Sequence, residues 1–77
     1  MDYEVRETFR ADFGGRVEEI YISGRRVGMV YPDPRPPAEI AELWMAYTQG
    51  GQGAASRDEA LQAVLRHAEA NPDYELR

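Results

Sequence analysis

The residues that could carry chemistry in this chain are few. His67 is the only imidazole, serines stand only at 23 and 56, and there is no cysteine and no lysine. A catalytic base needs an orienting partner and a nucleophile within reach. Both serines have other work by their context, Ser23 before Gly24 in a turn and Ser56 at a helix start. His67 falls near a helix end, where the negative pole of the helix favours a positive charge. Glu18 and Glu19 are neighbours on a strand and point to opposite faces, so they do not make an acid–base pair. Gly51-Gln52-Gly53-Ala54-Ala55-Ser56 has a superficial dinucleotide-fingerprint spacing ahead of a helix. That fingerprint needs a parallel strand before it and a βαβ unit around it, and the strands upstream read as antiparallel. Gly50-Gly51-Gln52 matches the peptide-release tripeptide, but the flanking basic residues that RNA requires are missing. The expectation is a non-enzyme with no metal and no cofactor.

Charge is the next source of chemistry. The 77 residues carry 14 acids against 9 bases, all arginine, for a net charge of −5. Residues 1–35 hold seven acids and six arginines, whereas residues 36–77 hold seven acids and three arginines. An acidic C-terminal half repels phosphate and suits a basic protein surface. Glu39, Glu42, Asp58 and Glu59 are the expected contact acids, with Arg6 and Arg10 as additional interface arginines. Arg6, Arg10, Arg25 and Arg26 on a three-stranded sheet also allow an alternative, a DNA-binding module laid out like the AP2 and integrase-arm domains. Each of these arginines has an acid beside it or across a hairpin, and the chain has no basic surplus to drive phosphate binding. Free nucleic acid is therefore the lesser partner, and a homodimer is compatible with the size.

Periodicity predicts the strands and helices that carry these residues. Tyr3, Val5, Phe9, Ala11 and Phe13 share one parity and Glu4, Arg6, Thr8, Arg10 and Asp12 the other, with Glu7 breaking the apolar row. Period two over this length predicts a half-buried strand. Gly14-Gly15 and Ser23-Gly24 supply turns to two further strands. Strands at about 3–13, 16–23 and 25–31 then form an antiparallel meander, ended by Pro32, Pro34, Pro36 and Pro37. Ile40, Leu43, Trp44 and Tyr47 match the stripe of an amphipathic helix over 37–49, with Pro37 at its first position and Gly50 after its end. A rival reading makes Leu43 to Thr48 a fourth strand. Gly50 to Gly53 reads as a loop. A helix over 56–70 has a capping box in Ser56 and Glu59, a buried stripe in Leu61, Val64, Leu65 and Ala68, and a stop at Asn71-Pro72. The tail, Asp73 to Arg77, is expected to be loosely ordered. The fold class is thus a single α+β domain over 1–77, a three-stranded antiparallel β-meander followed by two helices packed on one face.

Nothing at the N-terminus, MDYEVRETFR, has the apolar stretch of a signal peptide, and no run approaches the ~20 apolar residues of a membrane helix. The expected setting is cytoplasmic. In length, acidity, arginine-for-lysine usage and lone-domain build, the chain resembles the small inhibitors that phages encode against host defences, such as anti-CRISPR proteins. Gly24-Arg25-Arg26-Val27-Gly28 and Ser56-Arg57-Asp58-Glu59-Ala60 are similar to segments of small proteins from high-GC bacteria and their phages. That resemblance implies a mechanism: an acidic inhibitor that occupies a basic nucleic-acid-binding groove of its target.

Overall fold

The computed structural model describes residues 2–34 and 43–77. Five strands form one antiparallel sheet in sequence order: β1 (Glu4–Arg10), β2 (Gly15–Ile22), β3 (Arg25–Pro32), β4 (Trp44–Tyr47) and β5 (Gly51–Ala54). Among the described residues a single α-helix, α1 (Arg57–Ala70), follows them. The α+β class stands, but the expected three strands and two helices do not.

The first two hairpins form where the glycines were placed. Ser23 and Gly24 both adopt positive φ, 53° and 79°, and join β2 to β3 in the manner of a tight hairpin turn. Strand β1 stops earlier than its alternation suggests, because Ala11–Phe13 wind into one turn of 3-10 helix closed by Gly14 at φ 86°. That turn takes Phe13 off the apolar row of β1. Its ring packs instead against Tyr31 and Tyr47, at centroid distances of 5.0 and 5.3 Å.

The helix expected over 37–49 is the main correction. Residues 37–42 lie outside the described residues, and Trp44–Tyr47 is a strand paired with both β3 and β5. The physical reason is that these four residues serve two cores. Trp44 and Ala46 face α1, while Met45 and Tyr47 pack with Val17, Met29 and Tyr31 on the far side of the sheet. A helical stripe would put Trp44 and Tyr47 on one side. A strand buried on both faces reads as a continuous apolar run and has no alternation to reveal it. The Gly50–Gly53 stretch, expected as a loop, provides most of β5, with Gly51 opposite Tyr47 and Gly53 opposite Met45.

Two apolar clusters sandwich the sheet. On one face α1 lays Ala60, Leu61, Val64 and Ala68 onto Ile20, Val27, Val30 and Ala46. An irregularity between Ile20 and Tyr21 leaves Val27 as the extra residue of a β-bulge, so Val27 and Gly28 both turn towards the helix. Gly28 is the point of closest approach: a Cβ there would lie 2.7 Å from a methyl of Val64 and 2.9 Å from the Tyr47 carbonyl oxygen.

The second cluster is closed by the C-terminal tail, against the expectation of a loose end. Leu76 is buried among Val17, Met29 and Tyr31. Its N–H donates to the Arg26 carbonyl at 2.7 Å, and the Arg26 guanidinium donates back to the Leu76 carbonyl from two nitrogens, each at 3.3 Å. Tyr74 Oη donates to the Thr48 carbonyl at 2.8 Å. The start of α1 behaves as its sequence predicts. The Glu59 N–H donates to Ser56 Oγ at 3.1 Å, and Glu59 Oε2 accepts from the Ala55 N–H at 3.0 Å, one residue before the usual capping-box partner. No helix among the described residues is long and apolar enough to cross a membrane.

Candidate functional site

Strand β1 is the outermost strand on one side of the sheet, and among the described residues it pairs only with β2. Its register sets Val5 opposite Ile20 and Glu7 opposite Glu18, which fixes Tyr3, Val5, Glu7 and Phe9 on the α1 side. The helix, however, packs over β3, β4 and β5 and leaves that row in water. Tyr3 is 43 % exposed, Val5 37 % and Phe9 75 %. The apolar row that alternation reads as core is therefore a surface. Glu7 is the signal that could have revealed it: a carboxylate inside an apolar row needs water or a partner, and here it lies 3.6 Å from Arg16 Nε at the surface.

The opposite row of β1 holds Glu4, Arg6, Thr8 and Arg10. Arg6 is hydrogen-bonded to Glu4 and its guanidinium carbon sits 4.1 Å from the Tyr21 ring centroid. The Glu4 hydrogen bond holds the Arg6 guanidinium above its ordinary pKa, so it stays charged. Arg10 lies 3.6 Å from Asp12 and 5.1 Å from the Phe13 ring centroid. Arg26 pairs with Glu19 at 2.6 Å, and Arg25 donates to the Pro72 carbonyl. Three of the four arginines that a DNA-binding sheet would need are matched by carboxylates, and the fourth is held by the tail. A carboxylate offsets the charge of Arg6, Arg10 and Arg26 in place, whereas the carbonyl that holds Arg25 orients it without cancelling its charge.

The acids divide by element. Asp58 and Glu59 are exposed in the first turn of α1, Glu59 committed to the cap and Asp58 beside Gln62 and Arg66 along an open groove at the β5 edge. Glu39 and Glu42 lie outside the described residues. Arg6 and Arg10 stand on the sheet face away from α1, so the fold does not gather them with Asp58 and Glu59 into one site. Arg57 bridges the two halves differently, donating from two nitrogens to Glu18 at 2.7 and 2.6 Å. That hydrogen bond also raises the Arg57 pKa.

The groups considered for catalysis are occupied or isolated. Ser56 Oγ accepts the cap hydrogen bond, and Ser23 is an exposed turn residue with positive φ. His67 stacks edge-on against Tyr74 at 4.8 Å between centroids, with Nδ1 buried and without a hydrogen-bond partner. Glu18 and Glu19 face opposite sides of the sheet, as their adjacency requires: Glu18 holds Arg57 of the helix, Glu19 holds Arg26 on the tail side. Among the described residues no group of three or more His, Cys, Asp or Glu is placed to hold a metal ion. No protein-family model matches this chain, and neither a curated protein nor a solved structure does.

Proposed function

We propose that this chain is a non-enzymatic protein-binding domain whose contact surface is the free edge of β1 with its apolar row. The observation that carries the reading is the exposure of Tyr3, Val5 and Phe9 along an edge strand that α1 does not cover. Burying a large apolar side chain is worth about 1.5–3 kcal/mol, so leaving this row in water forgoes stability the fold could use. An edge strand also presents unpaired N–H and C=O groups. A partner that adds a strand there covers the row and satisfies the backbone together, the mode of recognition called β-augmentation.

A second reading is an acidic, phage-derived anti-defence inhibitor working in the host cytoplasm by blocking a basic nucleic-acid-binding surface. It is favoured by how the charges pair. Arg6, Arg10, Arg16, Arg26 and Arg57 are ion-paired to Glu4, Asp12, Glu7, Glu19 and Glu18, so none of these five pairs takes up Asp58, Glu59 or Glu69 of the helix or Asp73 and Glu75 of the tail.

Photo-crosslinking separates the two. A photoreactive residue at position 9 is expected to trap protein in cells that express the chain, and one at position 58 is not. Adducts at 58 alone would transfer the function to the acidic surface, and none at either position would overturn protein binding.

A further inference from the structure

The geometry points to a second copy of this chain as the occupant of the β1 edge, the two copies pairing antiparallel about a two-fold axis through Glu7. This rests on the reading of β1 as the contact surface and names its partner.

The argument is one of charge and register. β1 is seven residues long with no proline, glycine or bulge, so its whole edge is available. The other edge, β5, has four residues, two of them glycine. A two-fold axis perpendicular to the sheet keeps each row on its own face and sets residues equidistant from Glu7 opposite each other. Glu4 then faces Arg10 of the second copy, and Arg10 faces its Glu4. Val5 faces Phe9 twice on the α1 side, covering part of the row that is exposed in one chain. Arg6 faces Thr8. The one like-charge pair, Glu7 against Glu7, arrives with its own compensation, because Arg16 of each copy lies 3.6 Å from Glu7.

Neighbouring registers that keep the faces are worse. Sliding one way sets Arg6 against Arg6 and Val5 against Glu7; sliding the other sets Arg6 against Arg10 and Phe9 against Glu7. Opposite charges directly across a strand pair stabilise it and like charges oppose it. The charge order of β1 is therefore self-complementary in one register, and it also blunts the edge against promiscuous pairing. An interface of one strand pair is small, which places the expected Kd between about 10 µM and about 1 mM.

The test is sedimentation velocity on the full chain across that concentration range, with Glu4→Arg, Arg10→Glu and an equal mixture of the two variants. Glu4 belongs to neither apolar cluster and Arg10 meets the second one only through the edge residue Phe13, whose ring centroid lies 5.1 Å from its guanidinium carbon, and circular dichroism checks that each variant is folded. The wild-type chain is expected to move from monomer to dimer as concentration rises. Each variant alone sets like charges across the axis and is expected to lose at least about tenfold in affinity. When one copy carries Glu4→Arg and the other Arg10→Glu, position 4 of each again faces an opposite charge at position 10 of the other. The mixture is therefore expected to recover dimer. A wild-type chain that stays monomeric throughout overturns the proposal, as does dimerisation unaffected by either variant. If the wild type is monomeric while position 9 crosslinks to a different protein, the second copy is excluded and the β1 contact surface survives. If it is monomeric and position 9 traps nothing, both fall.

Discussion

Replacing Leu76 by alanine should destabilise this domain far more than a substitution next to the chain end ordinarily does. Leu76 is 9 % exposed and packs with Val17, Met29 and Tyr31. The truncation removes about three carbon groups at ~0.8 kcal/mol each, or about 2.4 kcal/mol of burial. A residual cavity would add to this, but a tail anchored by a few hydrogen bonds can shift to close part of the gap. About 2 kcal/mol is therefore the expected loss. For a domain of this length each kcal/mol lowers Tm by ~4–8 °C, giving a fall of about 8–16 °C. Thermal unfolding followed by circular dichroism, together with urea titration, measures it. Glu75→Ala is the control: the side chain is exposed and should change stability by no more than ~0.5 kcal/mol. If Leu76→Ala behaves like Glu75→Ala, the tail does not close the second core and the two-sided reading of the sheet is wrong.

Other outcomes follow from close contacts, the cap and one buried phenol. Gly28→Ala puts a methyl into Val64 and the Tyr47 carbonyl, and urea titration should show a loss of about 1–3 kcal/mol from overpacking. Ser56→Ala leaves the Glu59 N–H without its acceptor and should cost about 1 kcal/mol by the same assay. Burial, then the nearby charge of Asp33, raises the pKa of the Tyr31 phenol above its ordinary 10.0. The folded state therefore holds that proton more tightly than the unfolded chain does. The resulting stability is present below pH 10.0 and is lost as pH rises through the folded value, a loss that Tyr31→Phe should remove when unfolding is measured across alkaline pH.

Features decided by local backbone and capping chemistry were legible in the residues alone. Gly14, Ser23 and Gly24 placed two turns, because positive φ is required there and few residues accept it. Ser56, Glu59 and Asn71 bounded α1 through backbone groups that only neighbouring residues can satisfy. The adjacency of Glu18 and Glu19 was enough to put them on opposite faces.

What remained for the tertiary structure was the choice of which apolar residues are inside. Tyr3, Val5 and Phe9 alternate as a core row does, but a row is buried only if something covers it, and α1 is placed over β3–β5. Trp44 to Tyr47 suited a helical stripe as well as a strand; pairing with β3 on one side and β5 on the other settled it, together with a second core beneath. That second core is closed where Leu76 returns to Arg26, 50 residues away in the chain. No local pattern in Asp73 to Arg77 encodes that return, since Tyr74 and Leu76 acquire their burial sites only when a distant sheet supplies them.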